Sequence, residues 1–230
     1  MNPIAYSAQY QGADRNRLTT LIRPIMVIPL ALVWFFYSLA ACVLAAISWF
    51  TIVLRGHYNF GYYQLNAGFV HFLARFNGYQ YLLTDEYPPF SITERSDYPI
   101  RTLVGMPKPK YNRLKTLFRF VLLIPVVLIT YLMLAILAVC ALIAWFAILF
   151  TGKLPEGLYR PIRSASAWQV RAFAYFLLIS EDFPPIWVSE KDEAPRFAAV
   201  AAALPADPYA AHSAPDPFTA PGAEQEPPAR

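Results

Sequence analysis

Residues 24–54 and 120–150 are two long stretches without a single Asp, Glu, Lys, Arg, Asn or Gln. A helix needs about 20 apolar residues to cross the roughly 30 Å of hydrocarbon in a bilayer, and each stretch is longer than that. Because no water is available there to bind free backbone groups, the segments should be helical. Trp49 and Trp145 lie near their far ends, where indole rings favour the membrane interface. The pattern therefore predicts one strong membrane helix per stretch.

A weaker, amphipathic pattern follows each apolar stretch, over residues 61–83 and 157–179. Both segments place apolar residues at helical spacing and polar residues on the opposite side. In the first, the apolar side carries Leu65, Phe69, Phe72, Phe76 and Tyr79, and the polar side carries Gln64, His71 and Arg75. In the second, the polar side carries Arg160, Arg163, Ser164 and Arg171. Such helices either lie flat on the bilayer or span it with their polar sides turned into the protein.

The placement of basic residues favours the spanning alternative. Both apolar stretches follow a basic cluster, formed by Arg15, Arg17 and Arg23 in one case and by Lys108, Lys110, Arg113, Lys115 and Arg119 in the other. Basic residues prefer the cytoplasmic side, so each half should cross the membrane an even number of times. We therefore expect four membrane helices, with Arg55–Gly61 and Lys153–Gly157 on the far side. Both termini should then be cytoplasmic in a multi-pass protein of the bacterial inner membrane.

The chain also repeats itself with a constant offset of 96 residues. Asn16 to Arg23 returns as Asn112 to Arg119, and the ungapped comparison of 16–92 with 112–188 gives roughly 23 identities in about 77 positions. Such self-similarity indicates two copies of one structural unit. We therefore divide the chain into membrane units at 1–95 and 96–190, and expect the units to pack about a pseudo-two-fold axis.

Short strands and a tail complete the prediction. Four segments are rich in β-branched or aromatic residues between turn-forming residues, and they flank the units: Pro3–Gln11, Phe90–Arg95, Tyr98–Gly105 and Ile186–Glu190. On one side of the membrane they would pair as a small sheet. Residues 191–230, rich in Ala and Pro and mildly acidic, are predicted to be disordered, with a docked short helix over 194–203 as the alternative. The predicted fold is an all-α integral membrane protein, built as a tandem repeat of helix pairs with short cytoplasmic β-strands and a disordered C-terminal tail.

Four motifs together resemble a known family. They are Asn-Arg-Leu-x-Thr-Leu-x-Arg, which begins at Asn16, the Ile-Pro pair at Ile28-Pro29, the run from Ala144 to Lys153, and the run from Tyr81 to Phe90. The set is similar to the bacterial membrane family catalogued as domain of unknown function 4389, over nearly all of residues 5–190 and in both copies. The resemblance implies a membrane location, and it implies no established activity and no catalytic residues.

Composition narrows the class of partner. Hydrophobic residues make up 57% of the chain and charged residues 15%, and Lys and Arg outnumber Asp and Glu up to residue 189. A basic membrane body favours anionic lipid headgroups. The sequence carries no aromatic-interleaved basic stripe or nucleic-acid motif, so nucleic acid is not an expected partner.

The sequence offers little catalytic chemistry. None of the three histidines, His57, His71 and His212, recurs in the other copy. No zinc-ligand spacing, nucleophile motif or phosphate-binding loop is present, so we expect no enzyme activity, no metal and no cofactor. Cys42 and Cys140 lie in the middle of the apolar stretches and should be packed thiols.

Arg75 and Arg171 are the sharpest candidate site, because both copies keep an arginine inside the amphipathic segment. Arginine in a membrane helix is costly and usually faces a partner, a cavity or a headgroup. The functional hypothesis is a polar seam or an anionic-headgroup contact. The structural alternative is an arginine that reaches the interface along its own aliphatic stem.

Paired carboxylates precede the Pro-Pro motif of each copy. These are Asp85 and Glu86 in the first and Glu181 and Asp182 in the second, and we expect them to form cytoplasmic ion pairs with Arg23 and Arg119. We expect the function to be that of a non-enzymatic scaffold or accessory module that binds a protein partner or a second copy of itself. The alternative is a small transporter or lipid-handling protein that uses a polar seam around Arg75 and Arg171.

Overall fold

The computed structural model describes residues 4–186, 188 and 190–204. Within this part the chain forms six helices and two strands. In chain order they are β1 (Ile4–Ala8), α1 (Arg17–Arg55), α2 (Phe60–Gln80), β2 (Ile100–Val104), α3 (Arg113–Leu117), α4 (Arg119–Thr151), α5 (Glu156–Phe176) and α6 (Glu190–Ala203). The helix pairs predicted for the two copies are therefore present.

The same signals begin and end the long helices of both copies. The side chain of Asn16 accepts hydrogen bonds from the backbone at the start of α1, and Asn112 does the same for α3, as N-cap residues do. The helices end at Gly56 and Gly152, which have φ values of 84° and 69°. This left-handed conformation suits glycine and stops a helix. With 39 and 33 residues, α1 and α4 are about 58 and 50 Å long.

The long helices α1 and α4 run antiparallel. The backbone N–H of Arg15 donates to the Gly152 carbonyl at 3.1 Å, and the N–H of Tyr111 donates to the Gly56 carbonyl at 2.9 Å. The start of α1 therefore lies beside the end of α4, and the start of the second copy lies beside the end of α1. The two contacts exchange equivalent residues of the repeat, as a two-fold relation requires.

A second reciprocal pair of contacts agrees with this arrangement. Trp49 Nε1 donates to the Thr116 carbonyl and Trp145 Nε1 donates to the Thr20 carbonyl, both at 2.9 Å. The prediction that both units begin at the same end of the bundle is wrong, because the two copies pack antiparallel, with the start of each beside the long-helix end of the other. Residues 55–61 and 153–157 accordingly lie at opposite ends.

The amphipathic helices form an inner layer. One side of α2 and α5 packs on α1 and α4, and the other side packs on the strands, with α6 on the same side. Their central residues are enclosed, and Phe72 and Trp168 have no exposed surface. The chain thus contains two helices that are long and apolar enough to span a membrane, α1 and α4, within the described residues.

The third layer contains a two-stranded sheet and α6. β1 pairs antiparallel with β2, with Tyr6 opposite Thr102. Phe90–Arg95, which we predicted as a strand, is irregular because its carbonyls accept from a side chain of α2 instead of a neighbouring strand. Of Ile186–Glu190, the described residues 186 and 188 are not in a strand and Glu190 begins α6, while the other two lie outside the described part.

Helix α6 corrects the prediction that disorder begins at residue 191. It covers Glu190–Ala203 and matches the alternative of a docked helix over 194–203. Val200 packs with Ala5 and Leu103, so the helix buries apolar side chains against both strands. The prediction of disorder for 205–230 lies outside the described residues.

Candidate functional site

Arg75 lies on the side of α2 that faces the third layer. Its residue surface is only 2% exposed. The guanidinium donates to the carbonyl of Thr93 at 2.8 Å and also to the carbonyl of Ser91. Two successive bonds to one irregular segment fix that segment against the middle of α2. The geometry gives Arg75 a role in holding the chain that connects the two copies.

Arg171 occupies the equivalent position on α5 but has a different partner. It forms an ion pair with Glu193 of α6, and both side chains are almost fully buried. The other Glu193 oxygen, Oε2, accepts from the backbone N–H of Tyr6 in β1 at 3.5 Å. Burial, together with the neighbouring cations Arg196 and Arg163, lowers the pKa of Arg171 to about 10. This contact joins α5, α6 and the sheet.

The two arginines therefore bind different segments. Arg75 holds the 91–93 segment, and Arg171 holds α6. Sequence reasoning missed Glu193 because it assigned the residue to a disordered tail. The signal that was available is the alternative helix over 194–203, which places an acidic residue at the start of a helix.

The ion pair at the end of the first copy joins the start of α1 to the end of α2. Arg23 Nη2 lies 2.6 Å from Asp85 Oδ1, and Arg15 lies 3.5 Å from the same oxygen. Arg23 also donates to the carbonyls of Tyr79 and Thr84, at 2.6 and 3.0 Å. The Arg23 guanidinium thus joins the start of α1 to the end of α2 and to the turn that follows it.

The second copy makes a related closure with a different carboxylate contact. Arg119 donates to the carbonyls of Tyr175 and Ser180 and lies over the Tyr175 ring, 3.9 Å from its centroid. Glu181 instead binds Lys108 Nζ at 2.8 Å and the backbone N–H of Asn112 at 2.6 Å. Partial burial acts to raise the pKa of Glu181, but these two donors outweigh it and the pKa lies below its usual value.

The remaining two carboxylate residues take part in equivalent turns. The backbone N–H of Glu86 donates to Thr84 Oγ1 at 3.1 Å, and that of Asp182 donates to Ser180 Oγ at 3.2 Å. Both copies therefore end their second helix with the same turn before the Pro-Pro motif. Among the described residues no group of three or more His, Cys, Asp or Glu side chains is placed to hold a metal ion.

One contact between the copies was not expected from the sequence. Asn77 Nδ2 donates to Gln169 Oε1 at 2.8 Å, and both amides are buried between α2 and α5. The residues that the repeat places at the equivalent positions, Phe173 and Leu73, are apolar. A polar residue that interrupts the repeat inside an apolar face is the signal that could have identified this pair.

Comparison with known proteins gives one match. A family model described as "Domain of unknown function (DUF4389)" matches residues 17–91 and again 113–188. The two matched regions agree with the two copies of the helix pair. No curated protein and no solved structure matches the chain.

Proposed function

The chain belongs to the family of the domain of unknown function DUF4389, in two copies, and from its architecture we propose that it is a non-enzymatic membrane scaffold. In this proposal α1 and α4 hold the protein in the bilayer. The layer of β1, β2 and α6 faces water and binds a protein partner or a second copy of the chain. The single observation that carries the proposal is the one-sided distribution of exposed apolar side chains.

The outer faces of α1 and α4 expose large apolar residues along their whole length. Examples are Ile25 at 69%, Phe36 at 59% and Leu128 at 72% exposed, and the exposed positions of both helices between residues 24–54 and 120–150 carry no charge. A continuous apolar face of this size is unfavourable in water and marks a membrane or protein contact. We infer that this neighbour is lipid, because residues 24–54 and 120–150 are apolar on all sides, as membrane helices are.

The position of charged residues favours helices that lie along the membrane surface over helices that cross it. Tyr37, near the middle of α1, packs on Phe72 of α2 with ring centroids 5.3 Å apart. On the far side of α2, at the same level, Glu94 and Arg101 form a partly buried ion pair at 2.9 Å, with side chains 27% and 32% exposed. If α1 stood upright, this pair would lie at the level of the hydrocarbon centre, where a single unpaired charge costs roughly 2.5–3.5 kcal/mol.

An in-plane orientation also places both basic clusters at the same depth. The pseudo-two-fold axis would lie along the membrane normal, so the starts of the two copies would face the same leaflet. Exposed basic residues such as Arg17 and Lys115 would then lie at headgroup level, where each contributes about 1 kcal/mol on an anionic surface. We therefore place the protein on the cytoplasmic leaflet of the bacterial inner membrane, with both termini in the cytoplasm.

The scaffold is favoured over a transporter because the candidate polar seam is occupied. Arg75 binds two backbone carbonyls and Arg171 binds Glu193, so these guanidinium groups serve the contacts between layers. A carrier that used them for an anionic substrate would first have to break those contacts.

Cysteine labelling tests the placement. In a background with Cys42→Ser and Cys140→Ser, the variants Arg17→Cys and Arg55→Cys are treated with an impermeant maleimide in right-side-out and inside-out vesicles. The in-plane arrangement predicts that both ends of α1 react only in inside-out vesicles. Leu39→Cys, on the lipid face, should react in neither. Reaction of one end from each side would contradict the in-plane arrangement and establish a spanning α1.

A pull-down tests the scaffold itself. Asp97, which is 66% exposed, lies in the proposed water-facing layer, and Arg160, which is 72% exposed, lies at the start of α5 and provides a matched control. The reversal Asp97→Arg should reduce recovery of a stoichiometric partner from solubilised membranes, whereas Arg160→Glu should not. Purification of the chain alone in mild detergent, as a monomer, would contradict the scaffold proposal.

A further inference from the structure

A cavity of about 740 Å³ lies at the centre of the molecule. The middle parts of α1 and α4 form its walls, and the second halves of α2 and α5 form its floor. The floor is buried, with Leu73 at 1% and Ala172 at 4% exposed, whereas Tyr131 and Val127 on the wall are 68% and 47% exposed. The cavity therefore opens between α1 and α4, on the apolar face of the molecule.

The lining follows the repeat. Most lining residues have their equivalent, 96 positions along the chain, on the opposite wall or floor: Val27 and Leu123, Ala31 and Val127, Trp34 and Thr130, Ser38 and Leu134, Leu73 and Gln169, Phe76 and Ala172, Asn77 and Phe173, Gln80 and Phe176. A cavity lined by equivalent residues of both copies lies on the pseudo-two-fold axis. It is a feature of how the copies pack and not of either copy alone.

The two copies differ in polarity at the floor of this cavity. The first contributes Asn77 and Gln80 where the second contributes Phe173 and Phe176, and Gln169 takes the place of Leu73. Asn77 Nδ2 donates to Gln169 Oε1, and the Gln169 side chain also hydrogen-bonds Tyr81, so the carbonyl oxygen and the second N–H of Asn77 are the groups of this pair that can meet a ligand. The cavity has apolar walls and a polar floor.

Two further observations define the ligand. Among the described residues, no Asp, Glu, Lys, Arg or His side chain lines the cavity, so it offers no counter-ion for a charged headgroup. Trp34 also lines it, and the buried indole N–H of Trp34 has no hydrogen-bond partner within the described part of the chain. A buried donor without a partner is costly, and a ligand acceptor would satisfy it.

From this geometry we propose that the cavity binds one long-chain lipid with an uncharged, hydrogen-bonding headgroup, of the monoacylglycerol class. The chain lies along the apolar walls, and the headgroup hydroxyl and ester oxygens meet Asn77 and Gln80 at the floor. The volume falls within the range of roughly 300–1,000 Å³ that is typical of small-molecule sites. Asn77 is then a binding residue as well as a contact between the copies.

The inference rests on the proposed membrane contact only for the route of entry, because the cavity mouth lies on the face that we place against lipid. Binding itself can be measured in detergent, where the placement in a membrane has no influence. Failure of the lipid site and failure of the membrane placement are therefore separable results.

The test is native mass spectrometry of the full-length protein in detergent, titrated with 1-monooleoylglycerol. The comparison ligands are oleate and an oleoyl lysophosphatidylglycerol, which carry the same chain with a charged headgroup. We expect one bound monooleoylglycerol per chain and at least about tenfold weaker binding of both charged lipids. Equal or tighter binding of a charged lipid would overturn the assignment of an uncharged headgroup.

Matched variants locate the site. Ala31→Phe fills the cavity and should weaken binding at least about tenfold, whereas Ala46→Phe places the same side chain on the exposed face of the same helix and should leave it unchanged. Asn77→Leu with Gln169→Leu removes the amide pair without leaving either partner alone and should weaken binding about fivefold. If Ala31→Phe binds monooleoylglycerol with wild-type affinity, the proposal is overturned. If Ala31→Phe does not fold, wild-type affinity in the double variant overturns it instead.

Discussion

The buried ion pair between Arg171 and Glu193 makes a quantitative prediction about α6. Arg171→Leu leaves the Glu193 carboxylate without its partner at a position where only 3% of the residue is exposed. Removing one member of a buried pair costs about 3–5 kcal/mol, because the other charge stays desolvated. The carboxylate can avoid this cost by reaching water, which requires α6 to leave the sheet. We therefore expect Arg171→Leu to release α6 before it unfolds the rest of the chain.

Trypsin measures the release, because Lys191 and Arg196 provide cleavage sites inside α6. A loss of 3 kcal/mol raises the open fraction about 150-fold, and the cleavage rate should rise accordingly until α6 is fully released. The double variant Arg171→Leu with Glu193→Leu removes both charges and should return close to the wild-type rate, since an apolar pair of similar volume is often neutral or stabilising.

Arg75→Leu is the control for this experiment. It removes an equally buried guanidinium at the equivalent position of the other copy, but that group binds the 91–93 segment and not α6. Cleavage within α6 should therefore stay at the wild-type rate. If Arg171→Leu is cleaved no faster than wild type, or no faster than the double variant, the ion pair does not hold α6 and the reasoning is refuted.

Two further predictions concern stability. Burial, together with the neighbouring Arg75, lowers the pKa of His71 to about 4, so the free energy of unfolding should be highest above about pH 6.5 and fall by up to about 3 kcal/mol as the pH drops towards 4. The variant His71→Ala, which has the residue of the other copy, Ala167, removes this group. Its unfolding temperatures at pH 7.5 and pH 5 should therefore differ less than those of the wild type. Gly152→Ala should cost about 1 kcal/mol because Gly152 has a φ of 69°, whereas Gly157→Ala, where an added Cβ meets open space, should be neutral or slightly stabilising; equal unfolding temperatures would contradict the helix-cap assignment.

The local structure could be predicted from the sequence because its signals lie close together in the chain. Asn16 and Asn112 cap the helices they precede, and Gly56 and Gly152 end α1 and α4. The strands β1 and β2 lie inside the predicted segments Pro3–Gln11 and Tyr98–Gly105. Each of these features depends on a few neighbouring residues, and none requires knowledge of how the two copies pack.

The packing could not be predicted, because the distribution of basic residues was interpreted only for helices that cross the membrane. That assumption requires both copies to start at one end of an upright bundle. The bond from Arg15 to Gly152 shows that they start at opposite ends. The partner of Arg171 was missed for a related reason: the composition beyond residue 190 is typical of disorder, and only the fold reveals that Glu193 meets a buried cation.

The two-fold relation explains why the polar residues on the inner helices lie where they do. Two identical helix pairs that pack about an axis bring equivalent side chains close together, and an apolar side chain there meets its own counterpart. Asn77 instead bonds to Gln169, although the residue equivalent to Asn77 in the second copy is Phe173 and the residue equivalent to Gln169 in the first copy is Leu73. The copies have thus diverged at the axis, while the caps at both ends of α1 have counterparts in the second copy. A buried amide pair beside a cavity is expected where the interior binds a polar ligand group, because packing alone would be served by the apolar residues that the repeat places at the equivalent positions.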